Sequence, residues 1–508
     1  MRRLSFLTRT SLLLAFFFAA DKVLAFGKTL LFNKIVGLEG MGIFGAANNI
    51  PDYLSALLSG GALGMAFIPV LREYIDRRGP GEAWELFSRV VNLAFVITGV
   101  ASVGIILLTQ PLVRYVIAPG FSVEQQALTA SLMRLDLLAI IIFSISGLVM
   151  AGLQANQHFF LPALAPLLYN LGQIFGALIL SPAKGLHLGP IQLPGFNMGL
   201  YGIVYGVILG AILHLAIQVP GLIRYGFRWT PALEVRSAGV QRVLILLGPR
   251  VLTMGCIQAY FVARDNLASH FGTVGVGALN LGWTIEQVPE TIIGTALAVA
   301  ILPSLASFIT EGKTKDFTST VNRALKVMLA LTLPAAVLLA ISVRPLAQSF
   351  FGYDSGRLDL VQACTWAFLI GLLGDTWLEV AVRSFYANQN TRTPLVAALI
   401  QVVAFVALSF ILSPIVGLAG IPLSAALTFT IQAVVLLVML NRRFPGLLDL
   451  GGTGLRAAGS ALAAAIVTLG IVAFLPVSSL PKTLIAAAAG GLAAIPLVWK
   501  EVRLLLNL

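Results

Sequence analysis

The side chains with the most chemistry in this sequence lie inside long apolar runs. Asp21, Lys22 and Lys28 share the first run, and Asn48, Asn49 and Asp52 surround Pro51 in the second. Arg264 and Asp265 sit in the seventh run, Glu286 and Glu290 flank Pro289 in the eighth, and Asp375, Glu379 and Arg383 recur at i, i+4 and i+8 in the tenth. A charge at the centre of a membrane helix costs about 2.5–3.5 kcal/mol on insertion scales, so such groups face a cavity or a partner. Asp21 and Lys28 are two turns apart and share a helix face, whereas Lys22 points about 100° away. The ladder over Asp375, Glu379 and Arg383 suits either an internal ion-pair chain or a coupling site. The plainer alternative is that Asp21–Lys22 and Arg264–Asp265 neutralise one another, and that Lys34, Arg250 and Lys326 snorkel to the interface.

Other chemistries lack their residues. The sequence has no HExxH, Walker, GxGxxG or GxSxG pattern, and its four histidines, at 158, 187, 214 and 270, are scattered. Cys256 and Cys364 form no CxxC or Cys/His cluster, so neither a disulfide framework nor a zinc site is supported, and no metal or cofactor is assigned.

The elements that must position these groups are membrane helices. Of 508 residues, 58% are hydrophobic and 11% charged, against about 25% charged in a soluble domain. That excludes a soluble enzyme. Spans of about 20 apolar residues fit at 8–36, 43–71, 87–109, 125–152, 160–181, 198–223, 241–270, 275–308, 318–343, 358–387, 394–413, 417–440, 454–475 and 481–499. With a cytoplasmic N-terminus, the cytoplasmic segments hold 20 Lys or Arg and the outer segments five, the positive-inside asymmetry. The net charge of +12 therefore reads as loop topology and not as nucleic-acid binding. Met1-Arg-Arg followed by a small-residue stretch also has the look of a cleavable leader, which the internal repeat argues against.

That repeat spans six helices. GALGMAFIPVL (61–71) matches TALAVAILPSL (295–305), Arg89 matches Arg323, and Gln110-Pro-Leu matches Arg344-Pro-Leu. QANQ (154–157) with Pro162 matches YANQ (386–389) with Pro394, and GLYGI (199–203) matches GLAGI (417–421). The resulting fold class is an all-α polytopic membrane protein of about fourteen transmembrane helices. Two six-helix lobes, 1–230 and 231–448, form a parallel pseudo-two-fold repeat, followed by a C-terminal helix pair over 449–508. Duplicated lobes without a filter-like loop favour a transporter over a channel. Gly202, Gly206 and Gly210 read as helix packing.

The chain resembles the MurJ (MviN) family of lipid II flippases, in the superfamily that also holds the multidrug and toxin extrusion (MATE) transporters. The likeness is carried by DKVLAFGKTLLF (21–32), IPDYLSALLSGGALGMAFIPVLREY (50–74), LGPRVLTMGCIQ (247–258), VPETIIGTALAVAILPSLA (288–306) and SFYANQNTRTP (384–394). It implies alternating access around a cavity lined by spans 1, 2, 7 and 8, where cations hold the diphosphate of an undecaprenyl-linked peptidoglycan precursor. By position, the family's two span-1 arginines fall on Lys22 and Lys28, which keep the charge without the bidentate fork. The family's cavity arginines of spans 2 and 8 fall on Ser55 and Thr284.

Under the flippase reading Lys22, Lys28 and Arg264 bind diphosphate, while Asn48, Asp52 and their neighbours Ser55, Asp265, Thr284 and Glu286 complete the substrate site. Asp21, Glu290, Asp375, Glu379 and Arg383 serve coupling or gating, with the kinks at Pro51 and Pro289 serving the alternation. An ion gradient or the membrane potential drives transport. The partners implied are lipid II, membrane lipids, a coupling ion and cell-wall synthesis proteins. The implied location is the bacterial inner membrane, with both termini cytoplasmic. Three cations, Lys22, Lys28 and Arg264, meet four carboxylates, Asp21, Asp52, Asp265 and Glu286. That balance keeps three alternatives open: a cation-coupled antiporter of organic cations, a flippase for another lipid-linked oligosaccharide, and a non-transporting scaffold.

Overall fold

The computed structural model describes residues 6–58, 62–185, 187–188, 191–192, 194–474 and 479–505. Met1, Arg2 and Arg3, which carry the leader-like signal, and Gly61, which opens the first repeat motif, lie outside the described residues. Apart from a two-residue strand pair, His187–Leu188 with Ile191–Gln192, the described chain is helical. It divides into two compact units, 1–273 and 274–508. The first holds α1 (Phe6–Leu58), α2 (Ala62–Arg78), α3 (Pro80–Leu112), α4 (Val123–Ala155), α5 (Phe160–Phe175), α6 (Leu200–Ala216), α7 (Val219–Arg224) and α8 (Ala238–Ser269). The second holds α9 (Gly272–Pro289, its first two residues before the boundary), α10 (Ala296–Thr310), α11 (Thr314–Phe351), α12 (Ser355–Ala387), α13 (Arg392–Val416), α14 (Gly420–Arg443), α15 (Thr453–Phe474), α16 (Ser479–Ala494) and α17 (Trp499–Leu505).

Among the described residues eleven stretches are long and apolar enough to cross a membrane. Two of them are folded. Gly37 has φ 65° and ψ −176°, which only glycine adopts easily, and it splits α1 into two arms. Phe32 and Phe44 then meet edge to face at 5.7 Å, although 12 residues of straight helix would hold them about 18 Å apart. In the same way Gln401 Nε2 donates to Thr428 Oγ1 at 3.1 Å, so α13 and α14 form an antiparallel hairpin. With these folds and the charge-bearing α8, the helices are consistent with fourteen crossings.

The sequence repeat reappears as backbone geometry. Gln157 and Gln389 hold φ of 60° and 56°, left-handed values uncommon for a residue with a Cβ, at the same place in QANQ and YANQ. Just before each, an asparagine side chain donates back one helical turn: Asn156 to Gly152 O and Asn388 to Ser384 O, both at 2.9 Å. Gly199 and Gly417 repeat a positive φ at the start of GLYGI and GLAGI. Each unit also ties down the segment after its long helical hairpin with one asparagine. Asn92 donates to Thr230 O and Ala232 O, and Asn322 donates to Leu447 O and Asp449 O.

Packing in the first unit centres on Phe67, Trp84 and Phe87 of α2 and α3, which close over Leu148 and Leu153 of α4. Phe227 completes that cluster edge to face with Trp84 and Phe87, at 5.5 and 5.1 Å. Helices α5 and α6 approach through glycine: a Cβ on Gly206 would lie 2.8 Å from Gly176 Cα and 2.9 Å from Gly172 O. The second unit packs Phe317, Leu305, Val380 and Leu436 together, with Phe317 and Phe444 rings 4.6 Å apart. The C-terminal pair is fixed to itself by Glu501, which is 2% exposed and accepts from Thr453 Oγ1 and Arg456 Nε, both at 2.9 Å. Caps set two of the long helices. Ser122 and Gln125 exchange bonds in a capping box before α4, and Asp354 accepts from Arg357 N at 3.0 Å before α12.

Candidate functional site

The two arms of α1 bring Lys28 and Asp52 to one cavity of about 380 Å³ inside the first unit. Asn48 and Ser55, one turn to either side of Asp52, line it with Lys28. The walls are aromatic: the Lys28 ammonium lies 5.7 Å from the Tyr169 ring centre and 6.0 Å from that of Phe32, within cation–π range. α4 adds Asp136 and α5 adds Gln173, each 3% exposed. Asp136 Oδ1, Asn48 Oδ1 and Gln173 Nε2 make no hydrogen bond within the protein. Asp52 lies within electrostatic range of both Lys28 and Asp136. The cavity is therefore a polar chamber carrying one cation and two carboxylates.

Asp21 is held apart from it. Its Oδ1 accepts from Asn170 Nδ2 of α5 at 2.9 Å, a bond that ties the first arm of α1 to α5. Lys22, on the next residue, is exposed and does not line the cavity.

Arg264 and Asp265 of α8 form a separate, buried network in the same unit. Arg264 Nε and Nη2 both reach Asp265 Oδ1 at 2.9 Å, with side-chain exposures of 5% and 3%. Asp265 Oδ2 accepts from Asn49 Nδ2 at 2.8 Å, and the guanidinium carbon stands 4.9 Å from the Phe261 ring centre. Asn49 is next to Asn48, so the second arm of α1 uses one face for the cavity and the next for α8. Lys28 and Arg264 thus belong to different clusters, each with its own carboxylate.

In the second unit the acidic residues assemble on α9 and α12. Pro289 ends α9 and is followed by a π-helical turn, Glu290–Thr295, the irregular geometry that a proline in a long helix favours. Glu290 accepts from Thr295 Oγ1 at 3.0 Å, and Gly294 lets the turn close on α12, where a Cβ would lie 3.0 Å from Thr376 Cα. Glu286 is fully buried, accepts from Gln287 Nε2 at 3.1 Å through Oε2 and leaves Oε1 without a hydrogen bond. Asp375 lies within electrostatic range of Glu286, Glu290 and Glu379. Glu379 pairs with Arg383, which also donates to the Glu379 carbonyl at 3.1 Å. Thr284 turns its hydroxyl back on Asn280 O at 2.9 Å. Among the described residues no group of three His, Cys, Asp or Glu is arranged to hold a metal ion.

Sequence reasoning missed Asp136. Its signal was present: a lone carboxylate in the apolar run 125–152, which the cost of intramembrane charge marks as functional. Tyr169 and Gln173 carried no comparable signal.

Long paired helices around buried charge make a multi-pass membrane protein. A solved structure described as "Lipid II flippase MurJ, inward closed conformation" matches 97% of this chain and 100% of its own, with TM-score 0.78 at 21% identity. An inward-facing MATE family transporter of the MOP superfamily matches 84% of this chain and 95% of its own, with TM-score 0.71 at 16% identity. The fold is that of this transporter superfamily. Within it, the family described as "Lipid II flippase MurJ" matches residues 33–486, and the chain belongs to that family. Its relatives include the lipid II flippase MurJ of Burkholderia cenocepacia, 26% identical over 79% of this chain and 77% of that protein. A probable lipid II flippase MurJ of Rhizobium tropici is 28% identical over 83% and 79%.

Proposed function

We propose that this protein is a lipid II flippase, which moves an undecaprenyl-diphosphate-linked peptidoglycan precursor from the inner to the outer leaflet of the bacterial inner membrane by alternating access. The observation that carries the reading is the family match over residues 33–486. The cation-coupled antiporter of organic cations is not favoured by it, since the MATE likeness is one of fold.

In this reading Lys28 is the principal phosphate ligand of the first unit. It lies in a cavity large enough for polar substrate groups, beside Asn48, Asp52 and Ser55, which suit sugar hydroxyls or peptide amides. Lys22, exposed outside that cavity, and Arg264, paired with Asp265, take no part in this phosphate site. Glu286, Glu290, Asp375, Glu379 and Arg383 serve ion coupling, which the concentration of carboxylates on α9 and α12 supports. Lobes 1–230 and 231–448 rock against one another, with 449–508 outside the repeat, both termini cytoplasmic and cell-wall synthesis proteins as neighbours. Reporter fusions at each terminus test the orientation.

The decisive assay is rescue. Cells depleted of their own flippase regain growth and externally exposed lipid II when they express this chain, and lose both with Lys28→Ala. A well-expressed, membrane-inserted protein that fails to restore lipid II exposure overturns the proposal. Export of a cationic drug abolished by Asp52→Asn would install the antiporter instead.

A further inference from the structure

The first-unit cavity has a charge imbalance that its own side chains do not settle. Lys28 supplies one positive charge, and Asp52 and Asp136 supply two negative ones. Asp136 is 3% exposed and its Oδ1 accepts no hydrogen bond, and the Asn48 Oδ1 on the same cavity is equally unengaged. A buried carboxylate left in this state is costly, and a single ammonium group can neutralise only one of the pair. The acceptors on the cavity wall, two carboxylate groups and one amide oxygen, are hard oxygen ligands of the kind that hold a small cation. A monovalent charge brings the cavity to neutrality; a divalent one overshoots it.

The geometry points to a site for one monovalent cation, Na⁺ or a proton, on Asp136 and Asp52 with the Asn48 side-chain oxygen beside them, whose uptake frees the Lys28 ammonium, still within the cavity, from pairing with the carboxylates. Besides Asp136 of α4, the titratable and charged groups around it come from three helices. α1 contributes Asp21, Lys28 and Asp52, and α5 contributes Tyr169. α6 contributes His214, which is held by Ser146 Oγ at 2.6 Å and packs on the cavity-lining Phe143. Asp21 is already engaged by Asn170, so Asp52 and Asp136 are the carboxylates left for the ion.

The site also gives Lys28 two states. With the carboxylates uncovered the ammonium is their counter-ion; with a cation on them it is released to hold an anion. This consequence rests on the proposed reading of Lys28 as a phosphate ligand, whereas the ion site does not. Cation binding then favours phosphate binding, and by linkage phosphate favours the cation to the same degree.

The test uses the purified full-length protein in detergent, without lipid II. Bound ²²Na⁺ is counted in choline chloride at fixed ionic strength, and protons taken up between about pH 9 and pH 5 are counted in a separate titration. If Na⁺ is the ligand, Asp136→Asn lowers the number of bound Na⁺ by one per chain, and Asp136→Glu restores it. If the ligand is a proton, bound Na⁺ is the same in both proteins and Asp136→Asn takes up one proton fewer. An Asp136→Asn protein that elutes as wild type and matches it in both counts overturns the site. The coupling is read separately, with a soluble short-chain prenyl diphosphate as the probe. Its affinity rises at least about tenfold from cation-free to cation-saturated wild type and is insensitive to the cation in Asp136→Asn, tenfold corresponding to about 1.4 kcal/mol. Equal affinities in wild type overturn the release of Lys28. Failure of the rescue assay leaves both counts interpretable, so the two proposals fail independently.

Discussion

Removing Asp265 isolates the energetics of the Asn49–Asp265–Arg264 network. The Arg264 and Asp265 side chains are 5% and 3% exposed, so Asp265→Ala leaves a guanidinium in low dielectric without its carboxylate. Breaking a buried pair in this way costs about 3–5 kcal/mol. The simultaneous loss of the 2.8 Å bond to Asn49 adds less, because polar bonds between membrane helices average about 0.6 kcal/mol. Uncompensated charge is therefore the larger effect. Asn49→Ala is expected to cost about 0.5–1.5 kcal/mol. Arg264→Leu with Asp265→Leu is expected to cost less than Asp265→Ala alone, because a pair replaced by apolar groups leaves no orphaned charge. For a unit of about 270 residues, 3–5 kcal/mol corresponds to a melting-temperature drop on the order of 10 °C. The assay is thermal or SDS-induced unfolding of the three variants in one detergent. An Asp265→Ala cost no greater than that of Asn49→Ala, or a double variant worse than Asp265→Ala, would refute the reasoning.

Three further outcomes follow from the same geometry. Lys28→Arg, which keeps the charge and adds a bidentate fork, sustains rescue of flippase-depleted cells where Lys28→Ala does not; equal rescue by both removes Lys28 from the site. Gly206→Leu forces α5 and α6 apart, since even a Cβ would stand 2.8 Å from Gly176 Cα, and lowers stability by about 1–3 kcal/mol in the same unfolding assay; an unchanged melting temperature contradicts the packing. The Arg357 backbone N–H holds the exposed Asp354 carboxyl below its ordinary range, so its stabilisation is present above the unfolded value of about 3.9 and is lost as pH falls through the folded one. Asp354→Asn accordingly flattens the acid-side fall in melting temperature between about pH 5 and pH 3, and an unaltered slope excludes the cap as its source.

Much of the architecture was legible because it is local or periodic. Helix length follows from apolar run length, and the turn that repeats in QANQ and YANQ follows from four residues that carry the same left-handed glutamine in both units. The expectation of a break between spans 1 and 2 is met at Gly37, where glycine alone makes the backbone inexpensive. The site was legible only as a set of residue types. Helical spacing puts Asp52 and Asn48 on one face, yet nothing in the spacing joins Asn49 to Asp265 across 216 residues, or Asp21 to Asn170 across 149. The lone Asp136 gained its meaning only when α4 carried it to the chamber wall.

The sequence by itself determined a duplicated, all-helical membrane transporter, because bilayer thickness, helical period and the cost of buried charge act on each segment separately. Only the tertiary structure decided which cation meets which carboxylate: Lys28 shares a chamber with Asp52 and Asp136, while Arg264 is committed to Asp265. The physical reason is that electrostatic partnership depends on distances of a few ångströms between helices far apart in the chain, and those distances are set by glycine contacts, kinks and side-chain packing acting together.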